Sequence, residues 1–224
     1  MARARIRGVV RVTAFTRPAT PNMSSCWGPS LGCELGGSGT NQPIALTFPR
    51  AREDEVPEIG EAIERAVRHL SEHPDEARYT DSYARARLGD ALRVEVEGPS
   101  GAAIVTDMPT AVGGRGEEPS PGWLFRAAIA SCVAATIGME AAREGMTLSS
   151  LEVEIDSESD DRGMLGMDDS IPPGPLSTRI RITARGDGVG EEELRAVAER
   201  GAGRCPVCDA TKRAVEVSME LDVS

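Results

Sequence analysis

The chain has 224 residues, enough for one large domain or two small ones. A net charge of −11 and an aromatic content of 3% argue against a nucleic-acid partner, because phosphates need cationic surfaces and bases need aromatic platforms. Hydrophobic residues make up 40%, so the core must be aliphatic and alanine-rich, which suits close-packed helices.

The charge is uneven. Residues 1–50 carry six Arg and one Glu, a net +5, so the total of −11 puts −16 on residues 51–224. This first stretch holds Cys26 and Cys33, is rich in Gly, Pro and Ser, and shows no helical or strand period. It reads as a disordered or leader segment over residues 1–52, with the folded domain over 53–224. Arg11 interrupts the apolar run around it, which rules out a secretory h-region. Two origins fit: an organelle transit peptide, or a start codon set too far upstream, with initiation near Met23 or later. No run approaches membrane-spanning length. Five cysteines are an odd number in a chain without a secretion signal, which predicts thiols in a cytoplasmic protein rather than a disulfide scaffold.

Ile59, Ile63, Val67 and Leu70 recur at helical spacing, with Glu61, Glu64, Arg65 and Arg68 on the other face. His73-Pro74 ends that helix, because a residue before Pro avoids the helical region. His69 and His73 read as solvated residues at its end. Leu92, Val94 and Val96 then alternate with Arg93, Glu95 and Glu97, which predicts a half-buried strand. Gly98–Gly101 is a turn and Ala102–Thr106 a second strand of a small antiparallel meander. Ser120-Pro121 starts the main helix, with Ser as N-cap and Pro at the first helical position. It runs to about Glu144, and Gly145 stands where a left-handed C-cap belongs. Phe125, Ile129, Cys132, Thr136 and Met139 form one stripe, and the many small residues around them predict burial on several sides.

Leu151, Val153 and Ile155 alternate with acids, and Ile180, Ile182 and Ala184 alternate with arginines, so these strands should pair. Residues 157–177 form a solvated loop between them. Glu191–Arg200 is a helix with Leu194, Val197 and Ala198 inward, and Val215, Val217, Met219 and Leu221 mark a last strand.

The chemistry is carried by Cys132, within the small-residue run of the main helix, and by Cys205 of Cys205-Pro206-Val207-Cys208. A thiol in a packed helix and a second after a turn is the layout of a two-cysteine redox site. Taken alone, Cys132 also reads as a small buried hydrophobe. The C-x-x-C has two rival readings, a thioredoxin-type dithiol or half of a zinc site. The first lacks the strand–motif–helix order, and the second lacks further ligands. Cys208 is then an accessory thiol or a structural one. No cofactor or metal is expected.

Three segments together resemble the OsmC/Ohr family, the osmotically induced and organic-hydroperoxide-resistance proteins. They are Pro119–Phe125 leading to Ala130-Ser131-Cys132, Leu151–Ile155 with Asp161-Arg162-Gly163, and Cys205-Pro206-Val207. The resemblance implies an α+β fold in which antiparallel sheets pack on long central helices of an intertwined homodimer. It implies thiol-dependent reduction of organic hydroperoxides, with a disulfide recycled by a dithiol reductant, lipoyl-linked in one branch. By motif, Cys132 matches the peroxidatic position and Cys205 the resolving one. The family also uses an Arg from the early strands to hold the thiolate; Arg85, Arg87 and Arg93 are the candidates here, and Arg87 is chosen because it precedes the Gly89-Asp90 turn. Where the family's peroxidases carry an acid near the helix start, this chain has Gly122. The alternative expectation is therefore an OsmC-fold protein that binds a small apolar ligand beside Cys132, with weak or no peroxidase activity. Neither reading involves nucleic acid or a membrane.

Overall fold

The computed structural model describes residues 7–16, 58–213 and 215–223, all of which fall in one unit of the chain. The expected class is observed, helices with antiparallel sheets. In chain order the elements are β1 (Arg7–Thr16), α1 (Ile59–Glu72), β2 (Arg85–Leu88), β3 (Val94–Glu97), β4 (Ala103–Thr106), α2 (Pro121–Arg143), β5 (Leu148–Glu158), the single turn α3 (Asp161–Met164), β6 (Ser177–Asp187), α4 (Glu191–Gly203) and α5 (Pro206–Lys212).

Helix α2 follows its sequence signals. The Ser120 hydroxyl accepts the Trp123 N–H at 3.2 Å, and Pro121 holds the first helical position. At the far end Gly145 takes φ 65°, the Gly145 N–H donates to the Ala142 carbonyl at 3.1 Å, and the Met146 N–H to that of Ala141 at 2.8 Å. These two bonds are a Schellman cap, which needs a residue free to turn left-handed. The buried stripe is Ile129, Val133, Ile137 and Ala141 rather than the one centred on Cys132 and Met139; Met139 is 47% exposed. The sheet and α4 lie on the former face, and on the other Ala128, Ser131 and Ala135 are exposed, with none of the described residues covering them. By length and composition α2 is apolar enough to cross a membrane, against the expectation that no run would be. One face of it packs against β5 and α4, where the buried Glu140 carboxylate is paired with arginines.

Strands β5 and β6 pair as expected. Glu154 faces Arg181 and Asp156 faces Arg179 in the antiparallel register, and Arg181 reaches both acids, at 3.2 and 2.7 Å. The other edge of β6 carries β1, with Val12 opposite Ile182. Arg7–Thr16, expected to lack strand period, is thus a strand; its run of Val and Thr suits a pleated backbone once β6 offers a ladder. The rest of the expected leader lies outside the described residues. Because β1 and β5 occupy both edges of β6, that strand has no edge left for a further partner. The expected last strand is not formed: residues 215–223 make no regular element, and Val217 and Met219 are each 85% exposed.

The second sheet has the order β2-β3-β4. Strand β2 was not foreseen, and β3 begins later than expected, because Ala91 and Leu92 take positive φ in a tight turn before it. Helix α1 ends at His73-Pro74 as read, but its apolar stripe is not covered: Ile59 and Val67 are each 52% exposed.

Candidate thiol site

Two packing relationships bring Cys132 and Cys205 together. The first is the crossing of α4 over α2 at Gly201, where an added Cβ would sit 2.5 Å from the Ile137 Cα; only glycine permits that approach. The second is an ion cluster on Glu140, whose side chain is 6% exposed. Arg200 Nε donates to its carboxylate at 3.1 Å, and Arg204 Nη1 donates to its other oxygen. Arg200 also reaches Glu144, and Arg143 stands 3.9 Å from Glu140. Arg204 immediately precedes Cys205, so the cluster fixes the end of α4 against α2 two turns beyond Cys132.

The chain then turns into α5, which the sequence reading missed. Cys205 is its N-cap: the sulfur accepts the Cys208 N–H at 3.3 Å. Pro206 at the first helical position is the signal that was available, as it was for α2. Cys205 and Cys208 are buried, Cys132 is half-buried, and all three belong to one apolar cluster with Ile129, Val133 and Ile182. Burial pushes the Cys132 thiol up, the Val207 N–H pulls it back, and the Cys205 thiol adds to the rise. The net effect is a thiol above its ordinary range.

Arg87 is not brought to this site. It lies on β2 with its side chain 58% exposed and donates to Glu97 at 3.0 Å. The other candidates are engaged likewise, Arg85 with Glu97 at 3.3 Å and Arg93 with Glu118 at 3.2 Å. The guanidinium nearest the helix start is Arg126, unforeseen, which donates to the Ser157 hydroxyl at 3.3 Å. A Cβ built on Gly122 would stand 3.9 Å from Arg126 Nη1, so an acid there would find this cation one turn on. Arg126, Gly122 and Phe125 line a cavity of about 460 Å³ with Met108, Val112 and Met164. Phe125 also packs on the thiol cluster and is the shared wall between cavity and sulfurs.

The loop on the cavity's far side is held by Asp107, which is buried and accepts the N–H groups of Met108 at 2.7 Å, Arg115 at 3.2 Å and Glu117 at 3.2 Å. Burial pushes its carboxyl up, but the Glu117, Arg115, Met108 and Gly116 N–H groups outweigh that and hold it below the usual range. No group of three or more His, Cys, Asp and Glu with metal-site geometry occurs among the described residues. His69 and His73 stack 4.5 Å apart at the exposed end of α1, with His69 on Glu76 at 2.8 Å.

A half-buried thiol on a long central helix and a buried one at the cap of a following short helix, in one apolar cluster beside an antiparallel hairpin, define a two-thiol α+β protein. The family model for OsmC-like protein matches residues 114–220, a span that contains every segment carrying the resemblance. No curated protein matches. Solved structures with similar backbones include an OsmC-like protein from Mycoplasma pneumoniae, 15% identical, covering 61% of this chain and 91% of that one with a TM-score of 0.47. An organic hydroperoxide resistance protein from Legionella pneumophila is 20% identical, covering 60% and 91% with a TM-score of 0.43. The organic hydroperoxide resistance protein OhrB of Bacillus subtilis is 19% identical, covering 64% and 98% with a TM-score of 0.39.

Proposed function

We propose that the protein is a cytoplasmic thiol peroxidase acting on organic hydroperoxides, with Cys132 as the attacking and Cys205 as the resolving cysteine. The observation that carries this reading is that Cys132 and Cys205 pack in one apolar cluster, where the Cys205 thiol adds to the rise of the Cys132 thiol. Cys132 thiolate attacks the distal peroxide oxygen, the O–O bond breaks, and the alkoxide takes a proton to leave as alcohol. Cys205 then displaces water from the Cys132 sulfenic acid, closing a disulfide that a dithiol, lipoyl-type or other, reduces. The apolar cavity behind Phe125 suits an organic rather than an inorganic peroxide.

The thiolate needs a cation, since burial alone raises Cys132. In this reading Arg87 supplies it from a second copy. The uncovered small-residue face of α2 and the unpaired, alternating segment 215–223 are what a homodimer would cover. The test is hydroperoxide consumption with a dithiol reductant. Cys132→Ser should abolish it, and Arg87→Ala should lower it about tenfold or more; a wild-type rate in Cys132→Ser removes the thiol from the mechanism.

A second reading rests on Gly122 and the raised Cys132 thiol. An OsmC-fold protein without an acid at the helix start would hold a small apolar ligand in the cavity, with unreactive sulfurs. Full retention of free thiols after hydroperoxide treatment, together with binding of an unreactive apolar analogue, would favour it.

A further inference from the structure

We propose that Cys208 is a third member of the sulfur chemistry, receiving the disulfide from Cys205 so that Cys132 returns to the thiol while the oxidising equivalent rests in a buried Cys205–Cys208 bond. The proposal depends on the peroxidase reading, which supplies the first disulfide. Three features carry it. Cys205 shares one apolar cluster with the other two, and the Cys208 N–H donates to its sulfur at 3.3 Å. Cys205 caps α5 and Cys208 sits three residues on in the first turn, the spacing at which a C-x-x-C at a helix start closes its own bond. Both sulfurs are almost fully shielded, at 1% and 5% residue exposure, whereas Cys132 is half-buried.

The step is a thiol–disulfide exchange and needs no further oxidant. Cys208 thiolate attacks the Cys205 sulfur of the Cys132–Cys205 disulfide. The Cys205–Cys208 bond forms, the Cys132–Cys205 bond breaks, and Cys132 departs as thiolate. It takes up the proton that Cys208 gave. The remaining dithiol reductant then acts on the Cys205–Cys208 bond. A subunit lacking reductant consumes a second hydroperoxide at Cys132, whose sulfenic acid then has no thiol to resolve it.

The full chain with Cys26→Ser and Cys33→Ser is treated with one equivalent of cumene hydroperoxide, alkylated and cleaved with trypsin. Cleavage after Arg204 and Lys212 leaves Cys205 and Cys208 on one peptide and Cys132 on another. The expected product is an alkylated Cys132 peptide with an internally bonded 205–212 peptide. Cys208→Ser should stop at the cross-link between the two peptides and consume one equivalent of hydroperoxide without reductant, where the parent consumes two. Cys132→Ser should form no Cys205–Cys208 bond on the same timescale. A persistent Cys132–Cys205 cross-link in the parent would overturn the relay and leave the peroxidase reading standing. A Cys205–Cys208 bond formed equally fast in Cys132→Ser would also overturn it. Unreacted thiols throughout would remove both the relay and the peroxidase reading.

Discussion

Glu140 on α2 and Arg204 at the end of α4 form a charged hydrogen bond over the buried flank of the thiol site, and Cys205 follows Arg204 directly. The same carboxylate takes Arg200 on its other oxygen. One side chain therefore couples the helix that carries Cys132 to the turn that carries Cys205. Glu140→Ala leaves Arg204 without its acceptor and Arg200 with Glu144 alone, and should cost about 2 kcal/mol of stability, seen as a lower denaturant midpoint. It should also slow closure of the Cys132–Cys205 disulfide more than it slows the first oxidation of Cys132. Equal effects on both steps would mean that the cluster stabilises without aligning.

The Cys132 thiol is raised, which has two consequences for pH. Its alkylation rate should climb through a midpoint above the ordinary thiol value of about 8.5 in subunits carrying Arg87→Ala. A thiol raised in the folded state is fully compatible with folding below its unfolded pKa. As pH rises past that value the unfolded chain ionises first, so stability falls toward the alkaline side. Cys132→Ser should flatten that alkaline limb; an unchanged limb would assign the loss elsewhere.

Asp107 works in the opposite sense. Its carboxyl is held low by backbone N–H groups of the cavity loop, so its contribution is present above the unfolded carboxyl range and is lost as pH falls through the folded value. Asp107→Asn should remove this acid dependence and raise hydrogen exchange at the Arg115 and Glu117 amides. Unaltered exchange there would show that the loop does not rely on this carboxylate.

Gly122 sits in the first turn of α2, near Arg126. Gly122→Glu should stabilise the protein by about 1 kcal/mol, through the helix dipole, the pair with Arg126 and a less flexible unfolded chain. A thermal melt checks this, with Gly122→Gln retaining only part of the gain. A loss of stability would mean that the cavity mouth does not accept the longer side chain.

How far the fold was legible follows from where its signals lie. Helix α2 could be read to within a residue at both ends because Ser120-Pro121 and Gly145 are local devices that act within one turn. Strands β5 and β6 could be paired because their outer faces carry opposite charge. The last strand could not be read correctly from alternation, because alternation shows which side chains would share a face but not whether the segment pairs with a strand edge. Strand β1 was missed for the same reason reversed: its period is poor, yet an edge was available. At the site, the proximity of Cys132 and Cys205 was expected only through resemblance, and neither the Val207 amide nor the Glu140 cluster leaves a sequence motif. The position of Arg87 before the Gly89-Asp90 turn does not fix its partner, and within one chain it serves Glu97.

The pairing of Cys132 with Cys205 is tested most directly in the Cys208→Ser chain, also carrying Cys26→Ser and Cys33→Ser, by intact mass and peptide mapping after one equivalent of an organic hydroperoxide. The expected result is rapid loss of two hydrogens, mapped to a bond between the Cys132 and Cys205 peptides, and reversal by a dithiol. Unmodified thiols, or oxygen added to Cys132 that Cys205 never resolves, would contradict it.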